Sequence, residues 1–161
     1  MTEEQLEKSI ETGESLVIDC DAQPRMFDNF LLGKHDKLGK IVFDQNKIGL
    51  YITEKQKNGS YIIGEDLIGK EIPQGKFLNA NYLDWLWLGQ NRKHIPDDWF
   101  GKDVFFLGTI FRARSKYREC GGRYVYTRHA RYLRCSHKTL RTGLFPLKDQ
   151  FGEIDYMAIL K

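Results

Sequence analysis

The chain has 161 residues, of which 41% are hydrophobic, 13% aromatic and 29% charged, with only four prolines. A chain of this size buries ~70% of its unfolded surface, and the composition supplies a packed core, which excludes a disordered polymer. No apolar run in the sequence approaches the ~20 residues that span a bilayer, and the net charge of +3 conceals an uneven distribution. The N-terminus, MTEEQLEKSIETGES, is acidic where an export signal would be basic and then apolar. Together with three cysteines (Cys20, Cys120, Cys135), an odd number, this predicts reduced thiols in a cytoplasmic protein folded as a single domain over 1–161.

Residues 2–12 have helical composition, with Leu6 and Ile10 spaced i, i+4, Glu3 and Glu4 near the N-terminal end, and Gly13 as a stop. Ser15 to Cys20 predicts a short strand. Residues 21–39 are polar apart from Met26 to Leu32, which the pattern leaves unassigned. From Lys40 a meander of three short strands is expected. Ile41–Phe43 and Ile48–Thr53 flank a turn at Asp44–Lys47, and Asn58-Gly59 supplies the positive φ of a tight hairpin before Tyr61–Ile63.

In LNANYLDWLWLGQN, Leu78, Tyr82, Trp85 and Leu86 fall on one face of a helix, widened by Leu83 and Trp87. Asn79 or Asn81 suits its N-cap and Gly89 its stop. After a connector limited by Pro96, the almost wholly apolar Val104 to Phe111 predicts a central strand covered on both faces. Arg123 to Cys135 predicts its hairpin partner across a Gly121-Gly122 tip. Thr139–Leu147 and Ile154–Leu160 are two further strands. The expected fold is α+β: a mostly antiparallel sheet of six to eight strands, curling toward a partial barrel, with one or two packed helices.

Ten of the 25 Lys and Arg residues lie between Arg112 and Arg141, where Glu119 is the single acid. That stretch carries a formal +9, eight of its cations are Arg, and the remaining 131 residues carry −6. Arg112, Arg114, Lys116 and Arg118 recur at period two, the spacing that places side chains on one face of a strand. A two-residue tip pairs positions summing to 243, so that Arg112 faces Arg131 and Arg114 faces His129. One face then collects Arg112, Arg114, Lys116, Arg118, Arg123, His129 and Arg131, and the other Phe111, Tyr117, Tyr124, Tyr126 and Tyr132. A three-residue tip mixes the two sets.

Guanidinium forks match phosphate oxygens bidentately, so the separated arrangement predicts a binding module for nucleic acid or another phosphate-rich polyanion. An acidic protein surface docked on the same hairpin is the second reading. An enzyme that clamps a phosphorylated small molecule with Arg, and moves protons with His129 or His137, is a more distant third. Against all three, the acids at the chain's start (Glu3 to Glu14, Asp19, Asp21, Asp28) can neutralise the hairpin internally, and the tyrosine face can be core.

No cofactor or metal is expected. Cys120, Cys135, His129 and His137 match no zinc spacing. Phosphate-binding glycine loops and nucleophile elbows do not occur, and GGRYVYTRHA lacks the glycine of an RNA-recognition strand. Residues 78–134, from LNANYLDWL through HIPDDW and FFLGTIFR to RYL, resemble a family of small uncharacterised bacterial proteins, a resemblance that implies no activity and no site residues.

Overall fold

A computed structural model describes residues 16–68, 75–118 and 124–161. The helix expected over 2–12 and the Gly121-Gly122 tip lie outside the described residues. In chain order the strands and helices are β1 (Val17–Asp19), β2 (Phe30–His35), β3 (Lys40–Val42), β4 (Ile48–Tyr51), α1 (Glu54–Lys57), β5 (Ile62–Ile63), β6 (Lys76–Phe77), α2 (Ala80–Trp87), β7 (Asp103–Arg118), β8 (Tyr124–Cys135), β9 (Leu140–Pro146), β10 (Gln150–Phe151) and β11 (Asp155–Leu160). Among the described residues no helix is long and apolar enough to cross a membrane.

The architecture is α+β. Seven strands form the main sheet, ordered β4-β11-β7-β8-β9, with β2 also paired to β7 and β6 to β11; the sheet does not close into a barrel. Among the described residues only β11 and β7 run parallel in it. Val104 to Phe111 is buried throughout, which fits a strand covered on both sides. One face packs Val104, Phe106 and Leu133 under α2 and the β1–β3 pair. The other packs Phe105, Leu107, Ile110 and Ala130 under the β5–β10 pair.

The three-strand meander is not formed: β3 pairs with β1, β4 with β11 and β5 with β10. The segment expected to turn at Asn58-Gly59 instead builds α1. Thr53 and Gln56 form a reciprocal capping box at its start, and Asn58 ends it. Gln56 is wholly buried, and its amide donates to the carbonyls of Gly152 and Asp155 at 2.8 and 2.7 Å. The buried amide ties this helix to the chain a hundred residues on, so its capping wins over a local hairpin.

α2 begins where Asn79 caps it, its side chain accepting from the Tyr82 N–H at 3.4 Å. The same amide donates to the carbonyls of Cys20 and Asp36 at 2.8 and 2.9 Å. Tyr82, Leu83, Trp85 and Leu86 are buried, as the apolar stripe requires.

The approach to α2 forces an irregularity on β7. The Gly108 N–H donates to the Leu78 carbonyl at 3.0 Å, and the Gly108 carbonyl accepts from Asp36 at 2.7 Å. A Cβ at Gly108 would sit 2.8 Å from the Phe77 carbonyl oxygen and 2.9 Å from the Asn79 nitrogen. Thr109 Oγ1 then accepts from the Ala80 N–H at 2.9 Å. While its backbone bonds are spent here, β7 leaves the β8 ladder. Phe106 pairs with Arg131 and Phe111 with His129, so β7 advances five residues while β8 advances two.

Gly108→Ala therefore meets backbone on every side, which cannot rotate away. The variant is expected to lose about 1–3 kcal/mol of stability, read as a lower urea midpoint with an unchanged slope.

Candidate polyanion interface

The bulge sets which arginines reach solvent. Opposed residues of an antiparallel ladder share a face, and beyond the bulge Arg112 pairs with Arg128 and Arg114 with Tyr126. Leu31 of β2 is opposite Arg112 on its other edge. Leu31, Arg112, Arg128, Arg114 and Tyr126 thus occupy one face, all of them exposed. The other face carries Phe111, Ala113, Thr127 and His129.

The predicted register is therefore corrected. Pairs near Arg112 sum to 240 and not 243: Arg118 pairs with Tyr124 at 242, the register slips by two more between Arg118 and Arg114, and the Gly108 bulge then takes it to 237 at Arg131. The result is the mixed arrangement, in which Arg and Tyr alternate on one face. Arg131 is the largest departure. Expected on the outward cationic face, it lies on the opposite side with 2% of its side chain exposed. Its Nη1 stands 2.5 Å from Asp84 Oδ1 of α2, and the guanidinium packs 5.1 Å from the Phe27 ring centre. It is a strut between helix and sheet.

His129 also falls away from the cations. Its ring packs edge-on to Phe30 at 5.2 Å, and burial, with help from Lys148, holds its imidazole below the ordinary 6.5 against the opposing pull of the Thr127 carbonyl and Asp149. The backbones of Lys116 and Arg118 belong to β7, but their side chains lie outside the described part, and Arg123 lies outside the described residues altogether.

Direct opposition of Arg112 and Arg128 places two like charges across one rung. Two contacts offset the repulsion. The Arg112 guanidinium lies 4.5 Å from the Tyr126 ring centre, and Arg128 Nε lies 3.3 Å from Glu65 Oε1. Glu65 comes from the turn after β5, not from the acidic start of the chain. Asp19 and Asp21 accept from backbone N–H groups of Asp21, Ala22 and Gly39. At the strand ends far from the tip, Arg134 grips Asp103 through two 2.8 Å bonds, which raise the guanidinium's affinity for its proton further.

Arg128 is the interface residue that the sequence reading missed; with the 243 register it falls among the tyrosines. The one signal for it is the odd-length tip, whose mixed register is the observed parity.

Other chemistries find little support. Cys20 and Cys135 are buried free thiols, both pushed up to about 12, chiefly by burial. His137 stacks on Phe100 at 6.2 Å. Among the described residues no three His, Cys, Asp or Glu side chains gather as a metal site. A cleft of about 570 Å³ beside Trp99, Lys102 and Tyr156, and another of about 370 Å³ beside Tyr51 and Glu54, contain no arginine of this face. Compared with known proteins, the chain matches no family model, no curated protein and no solved structure.

Asp84→Ala leaves the Arg131 guanidinium buried without its carboxylate, and a loss of about 3 kcal/mol is expected in urea unfolding. Replacing both, as Asp84→Leu with Arg131→Met, should recover most of it. His129 gives a pH signature. A depressed folded value means that the unfolded chain binds the proton first, so its stabilisation is complete above pH 6.5 and is lost as pH falls through the folded value. Thermal midpoints should fall on acidification from pH 7 to 5, and His129→Gln should flatten that decline.

Proposed function

We propose that this chain is a small cytoplasmic binding module, folded as one domain, which engages nucleic acid or another phosphate-rich polyanion on the exposed face of β7 and β8. One observation carries the reading: Arg112, Arg114 and Arg128 share one solvent-facing side of β7 and β8, where Arg128 also pairs with Glu65. Exposed guanidinium groups release condensed counterions when they meet phosphates, and that release drives sequence-independent binding. The membership differs from the sequence expectation. Arg131 and His129 drop out, and Arg128 enters.

A reaction is not part of the proposal, since His129 is turned to the opposite face from Arg112 and Arg114. Cytoplasmic residence is supported by the two buried free thiols.

Fluorescence anisotropy with labelled oligonucleotides at two salt concentrations tests this. Three phosphate contacts give a log–log salt slope of about −2 to −3. Arg112→Glu with Arg114→Glu should weaken binding at least tenfold (about 1.4 kcal/mol) without lowering the melting temperature. Absence of binding at low salt, by a protein shown to be folded, removes the reading.

A further inference from the structure

We infer that the ligand of this face is single-stranded nucleic acid, held by a base stacked on the Arg112–Tyr126 pair. The inference rests on the polyanion reading and specifies it.

Phosphate recognition alone needs charge and hydrogen-bond donors, yet this face also exposes apolar surface. Tyr126 is 44% and Leu31 59% exposed. They are two of the six exposed large hydrophobic side chains among the described residues, and both lie on the face of Arg112. A duplex turns only sugar and phosphate toward a flat sheet, because its bases are stacked and paired within. An unpaired strand offers base faces, which stack on tyrosine rings and on guanidinium planes alike.

The platform is also built in advance. Arg112 crosses a gap left by Gly33 of β2, where a Cβ would stand 2.9 Å from Arg112 Cγ and 3.1 Å from the Ile110 carbonyl oxygen. That missing side chain lets the arginine stem lie against the neighbouring strand, while its guanidinium end rests on Tyr126 at 4.5 Å. Holding a long side chain in one geometry before binding lowers the entropy lost on contact. Arg114 lies two residues along the strand from Arg112, ~6.8 Å, close to the spacing of successive phosphates in a stretched single strand. Arg128 flanks the pair on the other side, opposite Arg112. Base contact at Tyr126 and Leu31, with phosphate contact at Arg114 and Arg128, uses every exposed group of the patch.

The test measures anisotropy of the whole chain with four probes at one low salt concentration: an oligothymidylate, an abasic sugar–phosphate oligomer of equal length, a duplex, and poly-glutamate. The oligothymidylate should bind at least tenfold tighter than the abasic oligomer (about one stacked base), and tighter than the duplex. Tyr126→Leu should weaken the oligothymidylate roughly 5- to 150-fold and leave the abasic oligomer unchanged, while Tyr126→Phe should retain wild-type affinity. Circular dichroism checks folding of the variants, and if Tyr126→Leu does not fold, the base-versus-abasic comparison on the unmodified protein decides alone. Equal affinity for oligothymidylate, abasic oligomer and duplex overturns base stacking and leaves polyanion binding standing. A duplex preference does the same. Tightest binding to poly-glutamate overturns the inference in favour of an acidic protein partner. No binding to any nucleic-acid probe overturns both readings.

Discussion

The passage of residues 77–79 directly across Gly108 is the constraint on which the rest of the molecule depends. Backbone groups buried there must find partners, and those of Gly108 find Leu78 and Asp36 rather than β8. Asn79 caps α2 and simultaneously holds the carbonyls of Cys20 and Asp36. Thr109 completes the junction through Ala80 and lies 2.8 Å from His35 Nδ1. A helix start, two loops and the central strand meet at a position where any side chain larger than hydrogen would intrude. In exchange, β7 loses its regular alternation.

That lost alternation divides the arginines into two populations with different physics. On the inner side of the bulge, Arg131 and Arg134 are matched to Asp84 and Asp103, and Arg131 is buried. Beyond it, Arg112, Arg114 and Arg128 face solvent. The formal +9 of the segment therefore overstates the field that a partner meets, because part of it is consumed in holding α2 and the strand ends together. Had β7 kept a regular pleat, Arg112 would share a face with Arg131 and point toward the helix.

The legible parts of the fold were those written in local periodicity. Tyr82, Leu83, Trp85 and Leu86 announce a helix covered on one side, and the apolar run after Val104 announces a strand covered on both. Short strands were legible as segments but not as pairs, since β5 finds β10 and β4 finds β11 about a hundred residues away, and two- to four-residue strands carry no register of their own. The bulge left no local mark. Gly108-Thr109 within an apolar run reads as an ordinary interruption, and only the backbone it accommodates reveals its role. Arg131 was misplaced for the same reason: Asp84 lies 47 residues earlier, and no pattern links the two. The site was thus legible as a concentration of charge and not as a choice of members.

β11 sits inside the main sheet, with β4 on one side and β7 on the other, although it follows every other described strand. Its parallel contact with β7 and its antiparallel contact with β4 span more than fifty and more than a hundred positions. A nascent chain lacking Met157 to Leu160 has β4 separated from β7 by an empty slot and the Phe105 side of the sheet open to water. The centre therefore cannot close until β11 is in place, and such distant pairings place this chain among slow-folding topologies.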